Sequence, residues 1–243
     1  MSTPILGVLG GLGPLATVDF LSKVVELTPA SCDQEHFPWA VVSLPQTPDR
    51  TAAILQGGET PLPYLSSAVR RLNGQGVSAI AILCNTAHHW YDELQQHSQA
   101  PILHIADAAI AALTECAPET EVGILATRGT IFSGFYQRKL ADAGFKPLTM
   151  ENVGQQDDVD KCIKLVKAHQ VDEAGKHLNL ALDAGTQAGC RAFIMACTEI
   201  PVACKTLTVQ DHLQVVDANL ELARVCVEHF KNGKHNVLAS HPA

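Results

Sequence analysis

Short apolar runs alternate along this chain with longer stretches whose apolar positions recur at helical spacing. The runs are Ile5–Leu9, Ala40–Leu44, Ala79–Leu83, Ile102–Ile105, Glu121–Leu125, Ala192–Met195 and Gln214–Val216. Runs of this length and continuity read as buried parallel strands. The helical stretches between them include Pro14–Leu27, Pro61–Asn73, Asp157–Ala168 and Asp172–Ala188. Strand alternating with helix predicts an α/β fold with mainly parallel sheets covered on both faces.

The pattern also repeats. Gly7-Val8-Leu9-Gly10-Gly11-Leu12-Gly13 resembles Gly123-Ile124-Leu125-Ala126-Thr127-Arg128-Gly129. Ile80-Ala81-Ile82-Leu83-Cys84-Asn85-Thr86 resembles Phe193-Ile194-Met195-Ala196-Cys197-Thr198-Glu199. Leu103-His104-Ile105-Ala106-Asp107 pairs with Gln214-Val215-Val216-Asp217, and each aspartate stands where a helix N-cap is expected. The three pairs keep the same order, which predicts two pseudo-symmetric α/β lobes. The final helix, Asp217 to Lys231, is expected to return to the first lobe. The first lobe is then 1–112 plus 217–243 and the second 113–216, with the crossover near Ala111–Glu119.

Composition narrows the function. The chain has 243 residues, 47% of them hydrophobic and 17% charged, enough to bury a large core. Its formal net charge of −8 argues against a nucleic-acid or anionic-membrane partner. An anionic substrate would need local cations to hold it against that field. Met1–Gly13 lacks a basic leader and is interrupted by glycines, so it does not read as a signal peptide. No apolar run reaches the roughly 18 residues of a membrane span. Eight cysteines without a Cys-x-x-Cys pair read as reduced thiols of a cytoplasmic protein.

Most of those cysteines are expected to be small core residues. Cys84 and Cys197 differ, because each follows a predicted strand at pseudo-equivalent positions. Ligands of open α/β sheets bind beyond the carboxyl ends of the strands. Two thiols there, one from each lobe, approach a ligand from opposite sides. That suits inversion at a tetrahedral carbon, with one group removing a proton and the other returning one. A thiol serves both roles near neutral pH, and a helix start after each cysteine would favour its thiolate. Asn85, Thr86 and Thr198 follow the cysteines and can hold a carboxylate. Thr127 is a candidate hydrogen-bond donor, and Glu199 a candidate for orienting water or an ammonium group. His88 is a candidate for tuning Cys84. The adjacent pair His88–His89 lacks the spacing of zinc ligands on a helix, so no metal site is expected.

Gly10-Gly11-Leu12-Gly13-Pro14-Leu15-Ala16-Thr17, Cys84-Asn85-Thr86-Ala87-His88 and Ala196-Cys197-Thr198-Glu199-Ile200-Pro201 resemble the signature segments of the aspartate/glutamate racemase family. Leu125-Ala126-Thr127-Arg128-Gly129-Thr130 and Tyr136 are also similar to it, so the resemblance runs from about residue 5 to residue 230. It implies an active site between two lobes, two-base proton transfer at Cα by Cys84 and Cys197, and neither pyridoxal phosphate nor metal. It further implies a small amino-acid substrate, aspartate or glutamate, and a homodimer. Gly11 falls in its glycine loop. Pro48-Asp49-Arg50-Thr51 matches the segment whose arginine binds the side-chain carboxylate, and Lys167 (or Lys164, one turn earlier) matches the lysine that assists it.

Within the resemblance, the alternatives to aspartate racemase are a glutamate or broad-specificity amino-acid racemase or another isomerase of the superfamily, and two readings from other classes compete. Gly11-Leu12-Gly13-Pro14-Leu15-Ala16 fits a dinucleotide-binding pattern, with Glu35 roughly 20 residues on. Pro14, however, removes an amide that a pyrophosphate would need, and the pattern ignores both cysteines. A non-enzymatic amino-acid binding protein built on the same cleft would bind without exchanging the α-proton.

Overall fold

The computed structural model describes residues 4–207 and 212–238, with side chains to residue 231. The first half runs β1 (Leu6–Gly10), α1 (Pro14–Leu27), β2 (Trp39–Ser43), α2 (Arg50–Gln56), α3 (Leu62–Asn73), β3 (Ala79–Ile82), α4 (Tyr91–His97), β4 (Ile102–Leu103) and α5 (Ile105–Ala111). The second runs β5 (Glu121–Ala126), α6 (Arg128–Ser133), α7 (Phe135–Asp142), β6 (Lys146–Thr149), α8 (Gln156–Lys167), α9 (Val171–Gln187), β7 (Ala192–Ala196), α10 (Ile200–Cys204), β8 (Gln214–Asp217) and α11 (Ala218–Leu238).

The strands form two four-stranded parallel sheets, ordered β2-β1-β3-β4 and β6-β5-β7-β8. The order is the same in both, as the internal repeat predicts. Alternation along the strands divides the core. Leu9, Ile80 and Ile82 face out beneath α3 and α4, while Leu125, Phe193 and Met195 face out beneath α8, α9 and α10. The opposite faces, carrying Leu6, Val8, Ala79, Ala81, Val122, Ile124 and Ile194, join one shared core with residues of α5, α7 and α11. The lobes are therefore bound by buried apolar surface.

α11 packs on α1 and α5, and Phe230 stacks on Phe37 at a centroid distance of 4.7 Å. Asp217 caps α11 by accepting from the amides of Asn219 (2.9 Å) and Leu220 (3.1 Å). Its other oxygen accepts from Lys23 Nζ of α1 at 2.6 Å, and Lys23 also bonds Asp19. Burial works against the Lys23 cation, but the two carboxylates overcome it and raise its pKa. Residues 239–243 of the expected first lobe lie outside the described residues, as do 1–3.

Three local expectations are corrected. β6 has no counterpart among the apolar runs, because an edge strand carrying Lys146 and Pro147 lacks one. Asp107 does not cap α5. It lies in the first turn, and His104 is the cap, its ring nitrogen accepting from the Ala106 amide. α11 continues beyond Lys231 to Leu238.

Lys23 neutralises two carboxylates in a poorly hydrated place. Lys23→Ala should therefore lower the free energy of urea unfolding by about 3 kcal/mol. An unchanged urea midpoint would mean that the ion cluster contributes nothing to holding α11.

Candidate active site between the two sheets

In each sheet the order reverses between the first strand and its neighbour, β1 against β3 and β5 against β7. Loops leaving a parallel sheet at such a point diverge and leave a crevice. Leu9 pairs with Ile82, which puts Cys84 two residues past the ladder. Ala126 pairs with Ala196, which puts Cys197 one residue past it. The two crevices face each other. A narrow chamber of about 30 Å³ is lined by Cys84, Asn85, Thr86 and Arg50 from one side and Thr127, Lys167, Cys197, Thr198 and Glu199 from the other. Leu12, Asp49, Arg50, Lys167 and Glu199 also line an adjoining outer chamber of about 490 Å³. Lys164 lines neither chamber, so α8 presents Lys167.

The two thiols have opposite surroundings. Arg50, the first residue of α2, lines the chamber beside Cys84 and interacts with it electrostatically. Its guanidinium is pinned by the carbonyls of Leu12 (2.7 Å), Thr47 and Pro48 (both 3.2 Å). Its buried Nε has no hydrogen-bond partner among the described residues. Burial works against the Arg50 cation, but Cys84, Asp49 and Glu199 overcome it and raise its pKa. Cys197 instead donates to Glu199 Oε2 at 3.0 Å. Burial first, and then the Glu199 carboxylate, push its thiol well above the usual range. The expectation that a helix start would favour both thiolates is thus overturned at Cys197. α10 is only five residues long, and a nearby carboxylate in a buried place outweighs it.

Glu199 also accepts from Thr198 Oγ1 (3.3 Å) and lies 3.9 Å from Lys167 Nζ. Gly13 makes room for it, since a Cβ there would lie 2.6 Å from Glu199 Oε1. Gly11 lines the outer chamber. It has φ +83°, and a Cβ on it would meet the Leu44 amide nitrogen at 2.4 Å. Its own amide donates to Thr17 Oγ1. These glycines serve close chain packing, and Glu35 lies in a short turn that lines neither chamber. The glycines of the dinucleotide pattern thus border the outer chamber without the acidic residue that the pattern requires there.

Hydrogen bonds stitch the lobes beside Cys84. Thr86 Oγ1 lies 2.9 Å from Thr127 Oγ1 and 3.0 Å from Thr130 Oγ1, and the last two are 3.0 Å apart. Thr127 also caps α6 by accepting from the Thr130 amide. Tyr136 of α7 donates its phenol proton to Asn85 Oδ1 at 2.7 Å. Thr130 and Tyr136 were not among the sequence-derived site residues. Both lie in the part of the chain that resembles the family, but the contact of Tyr136 across the lobe junction carries no local signal.

His88 props the same loop. Its Nδ1 lies 2.9 Å from the Cys84 carbonyl, which only accepts, and its Nε2 accepts from the Ile105 amide. These bonds require neutral imidazole with the proton on Nδ1. Burial holds its pKa down to about 4. Among the described residues no three His, Cys, Asp or Glu side chains converge as a metal site, and no helix is long and apolar enough to cross a membrane. All eight cysteines are free.

Two facing α/β lobes with a paired-thiol chamber define a class of enzyme, and comparison with known proteins agrees. The family model described as Asp/Glu/Hydantoin racemase matches residues 9–226. The chain belongs to that family and is an isomerase. It is 29% identical to a broad-specificity amino-acid racemase of Bacillus subtilis, covering 93% of this chain and 97% of that one. It is 30% identical to Picrophilus torridus aspartate racemase, whose solved structure superposes with a TM-score of 0.82 and covers 94% of each chain. A glutamate racemase of Francisella tularensis, solved with D-glutamate, shares the fold at 18% identity and a TM-score of 0.62, covering 96% of this chain and 83% of that one.

The His88 geometry has a consequence for stability. Its folded pKa lies below the ordinary 6.5, so unfolded chains take up the proton first as pH falls. The contribution is fully present above about pH 6.5 and is lost towards pH 4. Unfolding free energy measured by urea titration should fall on the order of 3 kcal/mol across that window from His88 alone. A flat profile would contradict the neutral assignment.

Proposed function

We propose that this chain interconverts the enantiomers of an acidic amino acid, aspartate or glutamate, by proton transfer at Cα between Cys84 and Cys197, without pyridoxal phosphate or metal. The observation that carries the reading is the single chamber lined by both thiols, one from each lobe, with Arg50 and Lys167 on its wall.

In this reading the α-carbon sits between the sulfurs. The Cys84 thiolate, facing Arg50, removes the α-proton of one enantiomer, and Cys197 delivers the proton held towards Glu199 to the other face. The reverse reaction exchanges these roles. Asn85, Thr86, Thr127 and Thr198 hold the α-carboxylate, and Glu199 faces the substrate ammonium. The side-chain carboxylate extends towards Arg50 and Lys167, where the outer chamber begins. Gly11 contributes the loop that brings Leu12 and Arg50 together. Thiols suit the task because their ordinary pKa lies near neutrality. The 30% identity to an aspartate racemase supports aspartate, and the broad-specificity relative supports a wider range of side chains.

Purified protein incubated with L-aspartate or L-glutamate in deuterium oxide should yield the D-isomer carrying deuterium at Cα. Cys84→Ser and Cys197→Ser should each abolish racemisation, and retained racemisation in either would remove that cysteine from the pair. Arg50→Ala should lower kcat/KM for both acids by about tenfold or more, as expected on losing a charge-assisted contact. Binding of L-aspartate with neither exchange nor inversion would favour an amino-acid binding protein.

The contrast between the thiols makes a separate expectation. Glu199→Gln removes the negative charge that opposes the Cys197 thiolate, so the Cys197 pKa should fall. The pH dependence of the Cys197 β-carbon resonance, in protein labelled with carbon-13 at cysteine and assigned by its loss in Cys197→Ser, reads this directly, and an unmoved or rising pKa would contradict it.

A further inference from the structure

Asn85 is 3% exposed and lines the inner chamber. Its Oδ1 accepts the Tyr136 phenol proton at 2.7 Å, whereas its buried Nδ2 has no hydrogen-bond partner among the described residues. A buried amide nitrogen left without an acceptor is costly, and native structures rarely keep one without a use. Here the amide lines the chamber assigned to substrate, so a bound carboxylate is the acceptor it lacks.

An amide can turn over, exchanging its oxygen and nitrogen, at little steric cost. Tyr136 decides which way it stands. The phenol is fully buried on α7, and its ring lies 5.1 Å from that of Phe135. Among the described residues Asn85 Oδ1 is the acceptor within reach of its proton. If the amide turned over, the phenol proton would lose its acceptor and Oδ1 would point its lone pairs at the incoming carboxylate. Burial raises the Tyr136 pKa well above the ordinary value, so the phenol keeps the proton it donates.

We propose that Tyr136 is a positioning residue, whose phenol reaches across from the second lobe to hold the Asn85 amide with its N–H groups towards the chamber, ready for the substrate's carboxylate. The inference rests on the racemase reading for the identity of the ligand. It adds that carboxylate recognition on the Cys84 side requires the two lobes to be docked, because the amide comes from one lobe and the group orienting it from the other.

The test is a double-mutant cycle read by kinetics, with L-aspartate binding read separately. Tyr136→Phe should lower kcat/KM about tenfold, mainly through KM, as expected on losing a charge-assisted hydrogen bond. In an Asn85→Ala background the same change should have no further effect, because the amide it orients is gone. An equal loss in both backgrounds, or none in either, would overturn the proposal. A purely structural tyrosine would instead lower the thermal midpoint in both backgrounds and leave KM unchanged.

Binding is read from the side-chain amide resonance of Asn85 in protein labelled with nitrogen-15 at asparagine. L-aspartate should shift it in the wild type and much less in Tyr136→Phe. This readout needs no turnover. A shift without racemisation would sink the two-base reaction but keep the positioning role. Racemisation without a shift would sink the positioning role alone.

Discussion

The site depends on a seam of buried hydrogen bonds between the loop after β3 and the second lobe. Thr86 meets Thr127 and Thr130, and Asn85 meets Tyr136, on the residues that directly follow Cys84. In so little water such bonds hold a fixed geometry, because a broken one leaves a polar group stranded. Beneath the seam, the inner faces of both sheets share one apolar core with α5, α7 and α11. Core and seam together set the separation of two strand ends that are more than a hundred residues apart.

The backbone is nearly symmetric, and the electrostatics are not. Each sheet has the same strand order, and each places a cysteine just past an equivalent strand. Arg50 faces one sulfur and Glu199 the other. Duplicated halves naturally supply two similar thiols, and the charges beside them set the two sulfurs in unlike fields, with burial and Glu199 raising the Cys197 pKa. Glu199 lies 3.9 Å from Lys167 and acts electrostatically on Arg50 across the chamber, so its carboxylate also offsets some of the positive charge there.

Much of the fold was legible in the sequence because buried parallel strands are continuously apolar and their helices are amphipathic. β1, β3, β5 and β7, the central strands, were read within a residue or two at each end. The edge strand β6 was not, since half of its surface is open and Pro147 breaks its pattern. The cysteine pair was legible because it repeats. The rise in the Cys197 pKa was not, because it comes from enclosure and from the carboxylate of Glu199 turned back on the sulfur.

By itself the sequence determined the alternation of strand and helix, the internal duplication and the family to which the chain belongs, all of which are local patterns or their recurrence. Only the tertiary structure decided that Lys167 rather than Lys164 reaches the chamber, that Arg50 is pinned by three carbonyls beside Cys84, and that Tyr136 crosses the lobe junction to Asn85. Those contacts join residues distant in the chain, and their geometry follows from how two sheets share a core, which no short stretch of sequence encodes.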